Sequence, residues 1–172
     1  FALAHEGTLF QDEIGDLSPR LQAKLLRVLQ DGDFSPVGSD DVLHADVRII
    51  SATNRDLDAL VKSGRFRQDL YYRLNHVTLD LPPLRKRSGD VGLLAQYFLH
   101  EESERLGRKI EFDAHALDRV RAYPWPGNVR ELQNFVRRMA LFALESGRVT
   151  VGLFPESYLA PVEGQGRDLA TI

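Results

Sequence analysis

Two adjacent carboxylates, Asp12 and Glu13, follow the short run Thr8-Leu9-Phe10-Gln11 and precede the turn Ile14-Gly15-Asp16. A buried parallel strand delivers acids in this way to the carboxyl edge of an open α/β sheet, where ligands of such folds sit. The chemistry suited to the pair is phosphoryl transfer, with one acid for a magnesium ion and a second to orient the attacking water. A strand that simply ends in a solvated Asp-Glu turn fits this segment equally well. Asn54 closes a second apolar run, residues 47–54, and either hydrogen-bonds a phosphate or water or caps the next helix. Arg67 and Arg73 flank the stripe Phe66, Leu70 and Leu74. Their spacing is a rotation of about 240° on a helix, so they do not share a face. They read either as arginine fingers on one anionic ligand at a subunit boundary or as solvated arginines over a core edge. Arg130 falls in the first turn of a long helix, where a positive charge opposes the dipole. A nearby anion resolves that conflict, and so does a pair with Glu131 or Asp113.

These groups need elements to hold them. Residues 8–11 and 47–54 are predicted strands, and 76–81 a third, ended by Pro82-Pro83. Ser18-Pro19 starts a helix with an N-cap and a proline at the first position. Leu21, Leu25, Val28 and Leu29 form its apolar face, and Asp31-Gly32 stops it. Residues 35–41 are a Pro/Gly/Ser/Asp loop. A short helix spans 57–62 and another follows on Phe66, Leu70 and Leu74. Residues 84–89, Leu-Arg-Lys-Arg-Ser-Gly, read as a hinge, and everything beyond as helical. Asp90 and Asp113 are candidate caps for helices, the second ending at Ala122. Pro124-Trp125-Pro126-Gly127 is a rigid turn. Asn128 with Glu131 forms a capping box for a helix with the face Val129, Leu132, Phe135, Val136 and Met139, ended by Gly147. Gly164-Gln165-Gly166 resembles the start of a linker.

Composition narrows the classes. The chain has 172 residues, 43% hydrophobic and 27% charged, enough for a core plus a small satellite. A net charge of −3 argues against a domain whose main task is neutralising nucleic-acid phosphates. There is no cysteine, which excludes disulfides and thiolate metal sites and fits a reducing compartment. The five histidines are scattered without ligand spacing, which argues against zinc. No run approaches membrane-spanning length and no signal peptide is visible. The chain starts at Phe1 rather than Met, which is expected of a piece of a larger protein.

Five blocks in order and spacing carry a family resemblance: GTLFQDEIGDL at 7–17, VRIISATNRDL at 47–57, GRFRQDLYYRLN at 64–75, LPPLRKR at 81–87 and WPGNVREL at 125–132. The chain resembles the sigma-54-dependent transcriptional activators, or bacterial enhancer-binding proteins, over residues 1–159, within their AAA+ ATPase domain. The resemblance implies an α/β fold, a partial AAA+ P-loop NTPase-type parallel sheet followed by an all-helical lid. It implies an α/β core portion at 1–83, the lid at 84–160 and a linker or tail at 161–172. It implies that Asp12 holds magnesium and Glu13 polarises water, as the Walker B acids. It makes Asn54 sensor I, Arg67 and Arg73 arginine fingers for the neighbouring subunit, and Arg130 sensor II. ATP and Mg are the implied cofactors. The implied partners are copies of the chain in a ring, usually a hexamer, and the sigma-54 RNA polymerase holoenzyme, in the cytoplasm, with DNA reached through a separate domain.

Several departures stand out. The glycine loop ending in Lys-Ser/Thr and the sigma-contacting GAFTGA loop would precede Phe1, and no helix-turn-helix module follows the lid. The fragment is therefore expected to lack ATPase activity alone. Gln11 replaces the usual apolar residue before the acids, and Glu6 a usual glycine. Two alternatives remain from sequence. One is a degenerate assembly or regulatory module that joins rings without hydrolysing nucleotide. The other is a helix-turn-helix over 113–147 whose second helix carries Arg130, Gln133, Asn134, Arg137 and Arg138.

Overall fold

The apolar residues separate into two cores along the chain, one built by Phe1–Leu79 and one by Asp80–Ile172. The computed structural model describes residues 1–36, 38–39, 41–87 and 89–159. The expected linker at 161–172, with Gly164-Gln165-Gly166, lies outside the described residues. No helix among them is long and apolar enough to cross a membrane.

The first unit is organised by a parallel strand pair, β1 (Gly7–Gln11) and β4 (Val47–Ser51), in register from Gly7 opposite Val47 to Gln11 opposite Ser51. Between them runs α1 (Pro19–Asp31). Ser18 caps it by accepting from the Leu21 amide, and Gly32 ends it at φ 76 in the left-handed region, as the sequence predicts. The buried face differs in detail. Gln22, Leu25, Leu26 and Val28 are buried, whereas Leu21 is 49% exposed. The loop expected at 35–41 joins an unforeseen antiparallel ribbon, β2 (Asp33–Phe34) with β3 (Leu43–His44). After β4 come α2 (Leu57–Lys62), capped by Asp56, and α3 (Gln68–Leu74). Ile14, Leu25, Leu26, Leu60, Phe66 and Leu70 close the core between them.

Three expectations in this unit need correction. β4 ends at Ser51, so Thr53 and Asn54 lie beyond the strand. The helix of the arginine segment begins at Gln68, so Arg67 is its N-cap, with extended ψ of 132°, and the rotation between Arg67 and Arg73 is not a helical one. Residues 76–81 are not a strand: the backbone has no ladder partner among the described residues, and Val77, Leu79 and Leu81 stand 78–85% exposed. The alternation is real, but strand pairing is a non-local bond that alternation alone does not supply.

The second unit begins with a 3-10 turn at Leu84–Lys86 whose Leu84 is buried. It continues as α4 (Asp90–Leu106), β5 (Glu111–Phe112), α5 (Ala114–Ala122), α6 (Asn128–Phe142), β6 (Arg148–Val149) and α7 (Glu156–Leu159). α4 packs on α6 and α5. Asp113 caps α5 through the Ala116 amide, as predicted. Among its described residues the unit is helical apart from one small parallel pair, β5 with β6, where the sequence predicts helix throughout. Asp90 is the first residue of α4 rather than its cap; Gly89 takes that place at φ 89. Asn128 is likewise not the cap of α6. Gly127 is, and the expected box does not form: Glu131 Oε2 accepts from the Gly127 amide at 2.7 Å, not from that of Asn128. The Asn128 side chain instead accepts from the Leu84 amide at 2.9 Å, tying α6 to the 3-10 turn. α6 ends at Phe142, and Gly147 at φ 68 serves the following turn into β6. Trp125 is fully buried, with its indole N–H on the Val120 carbonyl at 2.8 Å and its ring edge-on to Tyr123 and Phe135.

Candidate functional site

Parallel pairing in register fixes the first part of the site. β1 and β4 run in the same direction and finish side by side, so the segments leaving them share one edge of the sheet. Pairing continues past the strands: the Ala52 amide donates to the Gln11 carbonyl at 2.9 Å and the Ile14 amide to the Ala52 carbonyl at 3.0 Å. Asp12 and Glu13 therefore emerge beside Thr53 and Asn54. All but Thr53, which is half-buried, are exposed.

Local geometry shapes the acids. Glu13 sits at φ 55, in the left-handed region that costs a side-chain-bearing residue about 1 kcal/mol or more. Its amide donates to Asp12 Oδ1 at 2.8 Å, and the second Asp12 oxygen has no hydrogen-bond partner among the described residues. Ile14 then begins a 3-10 turn through Asp16 and is buried beneath the acids. Gly15 lies against the second loop so closely that a Cβ there would meet Thr53 Oγ1 at 2.8 Å and Arg55 Cβ at 3.2 Å. Asp16 forms an ion pair with Arg55. The two loops are thus laced by backbone bonds, a tight glycine approach and a charge pair. The acids are legible in the sequence, whereas this lacing is not, because each of its partners is non-local.

Asn54 makes no hydrogen bond among the described residues, and the cap of α2 is Asp56, whose carboxylate accepts from the Ala59 amide at 3.0 Å. The capping role weighed for Asn54 is therefore taken by its neighbour.

The two arginines at α3 differ in state. Arg67 forks Asp69, with Nε to Oδ1 at 3.0 Å and a terminal nitrogen to Oδ2 at 2.7 Å. The Arg67 guanidinium holds the Asp69 carboxyl below the usual carboxylate range, and Asp69 raises the arginine in turn. Arg73, in the last turn of α3, is exposed and makes no hydrogen bond or ion pair among the described residues. Beneath them, Phe66 and Leu70 are buried at 2% and 0% exposure.

Arg130 belongs to the second unit. It is exposed in the first turn of α6 and forms neither of the pairs considered for it. Glu131 is occupied by the Gly127 amide and the Tyr158 hydroxyl, and Asp113 by the Ala116 amide. Two of the residues that make α6 look like a base-reading helix are engaged internally. Arg137 donates to Glu102 at 2.9 Å, and Arg138 lies 5.9 Å over the Tyr158 ring.

The oxygen donors at the sheet edge suit a hard cation. No cluster of three or more His, Cys, Asp or Glu capable of holding a metal exists among the described residues. Magnesium fits such a setting because it takes one or two carboxylates and draws its remaining ligands from water and phosphate.

Comparison with known proteins bears on both units. Residues 1–80 match the sigma-54 interaction domain, and residues 85–170 the AAA+ ATPase lid domain. A Nif-specific regulatory protein of Rhizobium meliloti is 53% identical over 143 residues, 83% of this chain and 26% of the relative. The transcriptional regulatory protein ZraR of Klebsiella oxytoca is 53% identical over 139 residues, 80% of this chain and 31% of the relative. The chain thus spans between a quarter and a third of the length of these two relatives. A crystal structure of NtrX from Brucella abortus in complex with ATP superposes with a TM-score of 0.85 at 34% identity, covering 94% of this chain and 39% of that one.

Proposed function

Starting from a chain that belongs to the AAA+ sigma-54 interaction domain family and carries its lid, we propose that the parent protein hydrolyses ATP in a ring of like subunits and spends that energy on remodelling the sigma-54 RNA polymerase closed complex. The observation that carries the reading is the in-register parallel pair β1–β4, which brings Asp12 and Glu13 beside Asn54 at one sheet edge.

Each residue has a task suited to its geometry. Asp12 has a carboxylate oxygen with no partner among the described residues to offer magnesium, which when bound would neutralise charge on the phosphates. Glu13 is exposed and held by a left-handed backbone. Its carboxylate orients the attacking water and accepts its proton. The Asn54 amide hydrogen-bonds that water or the γ-phosphate. Arg67 and Arg73 reach outward from α3 to the nucleotide of the next subunit, where guanidinium forks stabilise charge that develops in the transition state. Arg130 supplies the lid's cation to the nucleotide and carries its state to α6.

The experiment mixes two full-length variants, Arg73→Ala and Glu13→Gln, each expected to be silent alone. Fingers of this kind contribute about 10³ to 10⁵ in rate. In mixed rings some interfaces pair an intact Glu13 with an intact Arg73, and only those turn over. Recovery of turnover on mixing supports a shared site. Co-assembled rings that stay silent would mean that Arg73 serves its own subunit, and the ring mechanism would be wrong.

A further inference from the structure

One buried polar side chain in the first unit has no part in the chemistry assigned above. Gln22, on α1, is 1% exposed among leucines, yet its amide is fully engaged. Nε2 donates to the Leu17 carbonyl at 2.8 Å and to the Arg65 carbonyl at 3.0 Å, while Oε1 accepts from the Arg67 amide at 2.9 Å. A buried amide that makes three bonds to backbone from two distant segments is an expensive group to place and a rigid one once placed.

The partners are informative. Leu17 closes the 3-10 turn that begins directly after Asp12 and Glu13. Arg65 and Arg67 bracket Phe66, whose ring is buried in the core. The amide therefore grips the backbone on both sides of Phe66. Arg67 is the N-cap of α3 and has no side-chain cap of its own, so Gln22 Oε1 is what satisfies its amide. The acid loop and the arginine segment lie more than forty residues apart in sequence, and one side chain spans them.

We propose that Gln22 is a positioning residue for Arg67, setting the guanidinium at a fixed offset from the acid loop of its own subunit so that it meets the neighbour's nucleotide in register. The proposal rests on the reading of Arg67 as a residue that acts on the adjacent subunit. Gln22 is buried and bonded to backbone, so it works through the arginine backbone. A helix that wanted only packing at this place would carry leucine or methionine.

The test uses the full-length protein with Gln22→Met, which keeps length and apolar volume and removes all three bonds. Gln22→His, with one donor and one acceptor, is measured in parallel and serves in its place if the methionine variant does not fold. ATP affinity is expected to stay near that of the unaltered protein while turnover at saturating ATP falls about tenfold to a hundredfold, as misplacement of a catalytic group does. Complementation then separates positioning from general damage. Mixed with Glu13→Gln, the Gln22 variant regains turnover, because its intact acids receive a well-placed Arg67 from the partner. Mixed with Arg67→Ala it does not, because neither subunit presents a competent arginine. A folded Gln22→Met protein with normal turnover overturns the proposal. So does the opposite mixing pattern, rescue by Arg67→Ala and not by Glu13→Gln, which puts the damage in the subunit's own acid loop. The control mixture of Arg67→Ala with Glu13→Gln reports on the underlying reading: if co-assembled rings of that pair stay silent, Arg67 does not act across the interface, whatever Gln22 does.

Discussion

Glu102 offers a quantitative test of how the second unit holds together. It lies on α4, 7% exposed, and receives Arg105 Nε on Oε2 at 2.7 Å and Arg137 Nε on Oε1 at 2.9 Å. The second bond crosses from α4 to α6. Replacing Glu102 by Gln keeps the shape and removes the charge. A hydrogen bond to a charged group contributes about 1.5–3 kcal/mol against about 0.5–1.5 for a neutral one; one bond is weakened in this way and the other is lost, because the amide nitrogen cannot accept, for about 3 kcal/mol together. The arginines are half-exposed, 57% and 53%, and solvent screening brings the expected loss to about 1–2 kcal/mol. For a unit of this size that is a fall of about 5–15 °C in melting temperature. The chain has a single tryptophan, Trp125, buried in the same core, so its fluorescence follows this unit alone. Burial pushes the Glu102 carboxyl up, but the hydrogen bonds from Arg137 and Arg105 outweigh it and hold the group below its ordinary value. With the folded value depressed, the stabilisation is complete above the unfolded carboxylate range and is lost as pH falls through the folded value. The gap between the native chain and Glu102→Gln should therefore be open at neutral pH and narrow as pH falls below the ordinary carboxylate range. Coincident melting curves at pH 7, or a gap that persists in acid, would refute the assignment.

Further expectations concern the first unit. Glu6 stands at φ 58, and relieving that conformation with Glu6→Gly should raise stability by up to about 1 kcal/mol after the extra chain entropy of glycine is subtracted, read as a higher urea midpoint. Gly15→Ala drives a methyl group into Thr53 Oγ1, so turnover of the full-length protein should drop, and adding Thr53→Ala should restore part of it; an active single variant would show that the two loops are not tightly laced. Asp12→Ala should abolish magnesium-dependent nucleotide binding, whereas Glu13→Gln should bind ATP and not hydrolyse it. Isothermal titration and phosphate release on the full-length variants separate the two, and normal hydrolysis by Glu13→Gln would reverse the roles.

What could be read from the sequence was what local chemistry decides. Ser18 and Asp113 cap because a hydroxyl or carboxylate reaches an amide three residues on. The two strands were recognisable because apolar runs end abruptly in polar residues. What failed depends on distant partners. Residues 76–81 alternate as a strand should, yet alternation does not provide a neighbour. Asn128 has the chemistry of a cap but spends its oxygen on Leu84, 44 positions away. Gln22 does carry a signal in the sequence: it precedes Leu25 and Leu26 by three and four positions, which places a polar group on the core side of α1, and a buried polar group is informative. The ion pair of Asp16 with Arg55 left no trace in the pattern, since nothing local selects that partner.

The contrast between Arg67 and Arg73 has an electrical consequence. Asp69 lies against Arg67 and balances its charge at close range, so from a distance that pair is a dipole, while Arg73 remains a whole positive charge. Dipolar fields fade faster than monopolar ones, and beyond about 8 Å mobile ions screen both at physiological salt. An approaching polyphosphate is therefore attracted over distance chiefly by Arg73 and senses Arg67 only at contact. Neutralising Arg73 should flatten the ionic-strength dependence of encounter, whereas neutralising Arg67 and Asp69 together should leave that dependence nearly as steep; neutralising Arg67 alone uncovers the Asp69 charge and should flatten it as well.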